Sequence, residues 1–570
     1  MATDIEEHAV GADNGATAEE VKPYRIHVSS RYLNLTKQKL EIARLPHELD
    51  EPKSKDWWQP KSQVEPLIDF WLEQYQWRDQ EELLNELPQF RTGFIIPQSE
   101  SPIRIQFIHA HSPRANAIPL LLIPPFPFPG LSLGHVVKLF TEPEEADHQP
   151  FHLVIPSLPG LGFSDALPTN SAVISCTADL LDSLMKRLGY PFYLATNAGA
   201  GVSSPGQIDY KLADWLATQH ADSCLGTHLI SPPLTQPRPQ DALLGWAKWS
   251  VAKFFRAPVW GYRTEDLSAL KQSSRATATA DGKDSPPRGL GFAEPNTLSY
   301  ALCDSPTGLL VIVMKGLRLL APRREFTPTE IVNFTQLAWL PGPESAMRFW
   351  AYCQRHPEKA SASARSAGRR RPRVALTVFL GGERRGRGSG NAGPDADVFE
   401  EGATRPPYSC PAWARARYEV LYTNRATGDA GLLAWERPEL IAAGARGLAA
   451  AVLKVDKRLK PSGQPQPQPE PEPQDPGQVV ASAETPAASE EERPSSPSPS
   501  PAPSDLRPGL LAPPKIGERL RPIREVSDDT KVASDESLAG AKTPSPIPTL
   551  PSPETPDPPS SATVEEKQGN

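Results

Sequence analysis

Cysteine is scarce in this chain. Five occur in 570 residues (Cys176, Cys224, Cys303, Cys353 and Cys410), widely spaced and with no CxxC pair. That excludes a disulfide framework and a cysteine zinc site, and predicts free thiols in a reducing compartment, with no metal. No run of about 18 apolar residues occurs, so no membrane span is expected. Met1 is followed by acidic residues rather than by a basic and then an apolar run, which predicts no secretory signal and a cytoplasmic, soluble protein. Basic excess is missing too: the net charge is −8, which argues against a nucleic-acid partner. Histidine stops at His356, so no imidazole is available in the later part of the chain.

Composition divides what is there. Residues 1–22 are acidic and rich in small side chains, and residues 459–570 are dominated by Pro, Ser, Glu and Ala. Neither can bury enough apolar surface to offset the entropy of ordering, and both are expected to be disordered. The tail carries "SPSPSPAPS" and "TPSPIPTLPSPETPDPP", candidate contacts for SH3- or WW-type domains and for proline-directed kinases, beside the plainer reading of a solvated tail. The run Arg369 to Arg373 fits a nuclear localisation signal or a basic loop.

Between these ends the pattern is α/β. "LEIARLPHELDEPKSKDWWQP" and "VEPLIDFWLEQYQWRDQEELLNELPQF" are expected to be helical, with Leu67, Phe70, Trp71, Tyr75 and Trp77 on a packing face. "IRIQFIHAHS", "IPLLLIPPFP", "FHLVIPSLPGLGFSD" and "FYLATNAGAG" read as strands, "CTADLLDSLMKRLG" as a helix stopped at Gly189, and "RVALTVFLGGE" and "YEVLYTN" as later strands before the helix "RPELIAAGARGLAAAVLKV". Strands alternating with helices predict a mostly parallel sheet covered on both faces. Residues 231–355 interrupt this with a helical section rich in Trp and Phe, either a lid or an ordinary helical subdomain, containing a loop insertion at 271–289.

Several long collinear stretches carry a resemblance: "RYLNLTKQKLEIARLP", "VIPSLPGLGFSDA", "TLSYALCDSPTGLLVIV" and "LLAWERPELIAAGARGL". Over residues 23–457 the chain resembles the microsomal-type epoxide hydrolases in their fungal branch. The resemblance implies an α/β-hydrolase core with a helical cap: an N-terminal segment at 23–115, the first half of the core at 116–230, the cap at 231–355, and the second half with flexible insertions at 356–458. It implies a cofactor-free hydrolysis of apolar or aromatic epoxides to diols. In that family an Asp at a strand–turn–helix elbow attacks the epoxide, two cap tyrosines hold its oxygen, and a His oriented by an acidic residue releases the ester.

Carried over residue by residue, the machinery is missing. "NAGAG" puts Gly199 at the nucleophile position, and "AGLLAWERP" puts Gly431 at the His position. One cap tyrosine falls on Trp350, with Tyr352 two residues on, and the other on Pro287. Glu383 is the candidate surviving acid member. The backbone N–H groups of Phe126 and Ala200 are candidates for an oxyanion-type hole. Gly199 is expected to keep the elbow's shape because glycine tolerates φ > 0. Ser203 and Ser204 follow the turn as weaker nucleophile candidates, Asp209 lies farther along, and Asp304 reads as a structural cap residue. Ser204 stands where a dinucleotide loop would need its third glycine.

The expected function is therefore a degenerate homologue that keeps a pocket for an apolar small molecule. Its rivals are an active epoxide hydrolase using nonstandard groups, for which His109, His111 and His135 are the histidines to examine, and a non-enzymatic protein acting through its tail.

Overall fold

A computed structural model describes residues 19–48, 61–169, 171–199, 205–240, 242–279, 294–321, 323–358, 371–381 and 408–459. Residues 1–18 and 460–570 of the termini expected to be disordered, the contacts expected of the tail, Arg369–Arg370, Ala200, Ser203, Ser204, Pro287 and Glu383 lie outside those residues, whereas Lys22 joins β1 and Leu459 is buried.

Among the described residues nine strands form one sheet: β1 (Lys22–Pro23), β2 (Gln89–Phe94), β3 (Ile103–Ala110), β4 (Ile118–Ile123), β5 (Phe151–Pro156), β6 (Tyr193–Asn197), β7 (Cys224–Ile230), β8 (Arg373–Phe379) and β9 (Glu419–Ala426), in the order β1-β2-β3-β5-β4-β6-β7-β8-β9. From β5 to β9 every pairing is parallel, and β1, β2 and β3 extend the sheet antiparallel. The sheet thus runs across the boundary expected at 115, because β3 of the N-terminal segment pairs with β5.

The helices are α1 (Ser30–Glu41), α2 (Lys61–Glu73), α3 (Trp77–Asn85), α4 (Val137–Thr141), α5 (Val173–Arg187), α6 (Ile208–Gln219), α7 (Leu243–Phe255), α8 (Thr264–Thr279), α9 (Pro295–Leu302), α10 (Pro306–Leu320), α11 (Pro328–Trp339), α12 (Glu344–Arg355), α13 (Pro411–Ala414), α14 (Leu433–Glu436) and α15 (Pro438–Val455). The apolar run of β4 is buried on both faces because successive side chains alternate. Leu121 and Ile123 meet α5 and α6 through Leu181, Leu184, Leu212 and Leu216. Leu120 and Leu122 meet α15 through Leu448 and Val452. A third cluster packs α1 and α2 against α10 and α11, with Leu40, Trp71, Leu310 and Val332 at its centre.

Three local expectations are corrected. The helix expected over "LEIARLPHELDEPKSKDWWQP" retains only Leu40 and Glu41, at the end of α1, and the described residues that follow are non-helical; Pro46 supplies no backbone N–H there. The long helical stretch from Val64 is two helices, α2 and α3, separated at Gln74–Gln76. The loop expected at 271–289 begins later, because α8 continues to Thr279 through residues that contain neither Gly nor Pro. Gly189 does stop α5: it has φ +82°, and the N–H of Tyr190 bonds back to the carbonyl of Met185 at 3.0 Å.

The cap helices α7–α12 enter between β7 and β8. One attachment to the core is a buried ion pair. Asp266 of α8 accepts from Arg425 Nε at 2.8 Å and Nη2 at 2.9 Å, from Tyr408 Oη at 2.6 Å and from the N–H of Arg263 at 2.9 Å.

Candidate functional site

The parallel strands β4 and β6 end together, with Ile123 opposite Asn197. Side chains placed just beyond these ends sit where open α/β sheets bind ligands. Asn197 is fully buried and bolts this edge. Its Nδ2 donates to the Gly199 carbonyl at 2.5 Å and to Asp209 Oδ2 at 3.3 Å, and its Oδ1 accepts from the N–H of Ile230 at 3.1 Å.

Gly199 lies at this corner, but the reason expected for a glycine there is wrong. Its φ is not in the left-handed region. What requires glycine is space: a Cβ built on Gly199 would fall on the carboxylate of Asp209 and 3.0 Å from Pro125 Cβ. Asp209 stands in the first turn of α6 and is fully buried. The left-handed residues come later, at Gly206 (φ 62°) and Gln207 (φ 55°), where the chain turns into α6.

Aromatic side chains lie nearby. Phe126, three residues past the end of β4, stacks on Phe349 of α12 with ring centroids 5.9 Å apart. Trp350, the next residue of α12, lays its indole where a Cβ on Gly206 would come within 2.8 Å of Cδ1. Trp350 thus stands beside Gly206 at the start of α6, while Tyr352 turns to His356, 4.6 Å away ring to ring.

Gly431 has φ +62°, and a Cβ there would fall on the carboxylate of Glu436. Glu436 closes α14 and is half-buried, and burial pushes its carboxyl up against the opposing charges of Arg323 and Arg437. A depression of about 410 Å³ opens beside it, lined by Arg323, Arg324, Glu325, Trp435, Glu436 and Arg437. Another, of about 440 Å³, lies between Arg371, Arg415 and Tyr418. Neither borders Gly199.

The three histidines of interest divide. His135 reaches the Gly431 loop, with Nε2 2.9 Å from the Ala434 carbonyl and its ring 5.6 Å from that of Trp435; burial lowers its pKa. His109 and His111 lie on the other side of β5 from β4, with His109 opposite Val154. They cluster with His152, whose strand partner on β4 is Pro119, about four residues or roughly 13 Å along the strand from Ile123. Asp304 pairs with Lys39 at 2.5 Å, joining the cap to α1, the structural part expected of it.

Sequence reasoning missed Glu436 and His228, and set Asp209 aside. His228 is fully buried and ties three strands beneath the corner, with Nδ1 2.9 Å from Thr196 Oγ1 and Nε2 2.8 Å from Thr377 Oγ1. All five cysteines are free.

The sequence profile described as "Epoxide hydrolase N terminus" matches residues 21–132. Epoxide hydrolase 1 of Sus scrofa is 26% identical over 356 residues, covering 59% of this chain and 73% of that protein. Two solved structures share the fold at 19% identity, each covering 76% of this chain: the epoxide hydrolase of Aspergillus niger (TM-score 0.54, 97% of that chain) and the juvenile hormone epoxide hydrolase of the silkworm Bombyx mori (TM-score 0.56, 95% of that chain). The profile, the relatives and the sheet agree: the chain is similar to epoxide hydrolases and has an α/β-hydrolase fold.

Proposed function

We propose that this chain is a catalytically degenerate member of its family that binds an apolar small molecule beside the elbow instead of opening an epoxide by the family's ester mechanism. One observation carries the reading. At both positions where the resemblance places the reacting side chains, the residue is glycine and the missing side chain's volume is filled by another carboxylate, Asp209 at Gly199 and Glu436 at Gly431. The nucleophile is not merely absent; its place is taken. The aromatic walls at Phe126, Phe349 and Trp350 supply apolar surface but no phenolic hydroxyl for an epoxide oxygen.

A second reading rests on Asp209 itself. A carboxylate beside the elbow is the right chemical type to attack an epoxide carbon: a new C–O ester bond forms as the ring C–O bond breaks to an alkoxide, which takes a proton from water, and a second water then cleaves the ester to release the diol and return the carboxylate. Full burial of Asp209 speaks against access.

Diol formation from styrene-oxide-like epoxides by the full chain separates the two. No turnover is expected from the unaltered protein or from Asp209→Asn. Turnover that vanishes in Asp209→Asn would replace the first reading with the second. Binding of an unreactive aromatic ether, followed by tryptophan fluorescence, should weaken in Trp350→Ala.

A further inference from the structure

Three imidazoles meet where the two parts of the sheet join. Among the described residues, the antiparallel strands β1, β2 and β3 reach the parallel strands through the β3–β5 pairing alone. That pairing is short, with Phe107, Ile108, His109 and Ala110 opposite Pro156, Ile155, Val154 and Leu153. The next position of the same antiparallel register sets His111 opposite His152. His109 and His111, two residues apart, share a side of the strand. The ring centroids of His109 and His111 are 4.2 Å apart, and those of His111 and His152 5.3 Å. His109 and His152 are buried, and His111 is exposed.

The surroundings favour neutral rings. His109 Nε2 lies 3.0 Å from the hydroxyl of Tyr190, just before β6, and burial raises that phenol so that it stays neutral as well. His152 Nδ1 accepts from the N–H of Ser112 at 3.2 Å, so this nitrogen carries no proton. The Ser112 hydroxyl donates to the carbonyl of Thr141 at the end of α4. From β2 comes Phe90, edge-on to His109, and from β4 comes Pro119, the strand partner of His152; neither carries charge. The nearby charged groups are engaged elsewhere. Arg114 donates to the carbonyls of Pro143, Glu145 and Ala146, the Glu145 carboxylate pairs with His148 at 3.0 Å, and Arg446 of α15 reaches the Leu139 carbonyl and His148. Among the described residues the charges that act on His109 and His152 are those of the other histidines, and burial lowers all three rings.

Like charges opposite one another across an antiparallel pair destabilise it. We infer that the β3–β5 joint is an acid-sensitive hinge, closed while His109, His111 and His152 are neutral and opened when they take up protons. Opening parts the end of β3 and the turn after it from β5. The parallel strands stay paired, and α1 and α2 stay packed on α10 and α11, so the change is a local loosening of the N-terminal strands. The closed state favours the neutral rings, so opening sets in as pH falls below the ordinary histidine value near 6.5. At about pH 5, each ring that is neutral when closed and protonated when open favours opening about thirtyfold. Asp266, held below the usual carboxylate range, responds only in more acid solution. The inference is independent of what the elbow binds.

The test is hydrogen–deuterium exchange of the full chain at about pH 7.5 and about pH 5, each corrected for the intrinsic exchange rate. On acidification, residues 106–114 and 151–156 should lose protection at least about tenfold more than residues 193–197, 224–230 and 373–379. His111→Gln/His152→Gln should abolish the difference. His111→Gln alone, at an exposed position, should lessen it, and keeps the test decisive if the double variant fails to fold. Protection of β3 and β5 that is the same at both pH values, or that falls together with that of β6, β7 and β8, would overturn the inference. So would a difference that both variants retain in full.

Discussion

The carboxylate of Asp209 occupies the volume that a Cβ on Gly199 would need, so the glycine at the elbow is held there by packing and not by its backbone angle. Gly199→Ala should therefore destabilise the fold by about 1–3 kcal/mol through overpacking. In an Asp209→Ala background the same change should cost measurably less, and a double-mutant cycle by urea denaturation reads the coupling. Equal costs in both backgrounds would show that Asp209 does not fill the space.

Gly431 combines two penalties. Its φ of +62° strains any side chain, and Glu436 fills the space. Gly431→Ala should cost about 1–3 kcal/mol. Gly189 supplies the control, with φ +82° and nothing within 4 Å of an added Cβ. The excess of the Gly431→Ala loss over the Gly189→Ala loss, measured by chemical denaturation, is the contribution of the Glu436 contact, and Glu436→Ala should remove it.

Arg425→Met should destabilise by about 3–5 kcal/mol, because it strands the fully buried Asp266 without its cation. Arg425→Met/Asp266→Leu should be milder. Although burial alone would raise the Asp266 carboxyl, Arg425, Tyr408 and the N–H of Arg263 together hold it below its usual range. A depressed carboxyl contributes stability that is present above the unfolded value and lost as pH falls below it. Arg425→Met should therefore flatten the acid limb of the stability curve, measured by thermal unfolding across pH.

Histidines set limits on both sides of neutrality. Burial, with repulsion from His111, lowers His109 to about 3 and His152 to about 4. The folded state keeps these rings neutral, so their contribution is whole above the unfolded value near 6.5 and declines as pH falls from there toward 4, by up to about 1.4 kcal/mol per pH unit for each ring. His220 runs the other way. Burial opposes its charge, but Asp179 and Asp182 raise it to about 9, so its contribution is whole below 6.5 and lost as pH rises toward 9. His152→Gln should reduce the acid slope and His220→Asn the alkaline one. A variant that leaves its slope unchanged refutes the assignment for that residue.

The apolar runs of β4 and β6 and the stop at Gly189 were legible because period and turn chemistry are local. So was the identity of the residues at the elbow and at the final loop. What filled the spaces they left was not: Asp209 is ten positions from Gly199, and its place depends on the left-handed turn at Gly206 and Gln207, which composition does not signal. The α8 extension was misread because a polar stretch with Ser and Thr looks like a loop, although it contains no breaker before Thr279. His228 escaped notice because an imidazole within the strand Cys224–Ile230 carries no motif; only the threonines on both neighbouring strands explain it.

A vacancy can be refilled by a single codon change, but an occupied position cannot. With Asp209 lodged at Gly199 and Glu436 at Gly431, a mutation that put a reactive side chain back at either place would meet a carboxylate first and arrive as a folding defect. At each locus the carboxylate would have to move before a side chain could stand there. On the proposed reading, no single substitution at either place would restore the reaction its relatives are named for, because the carboxylate must move first.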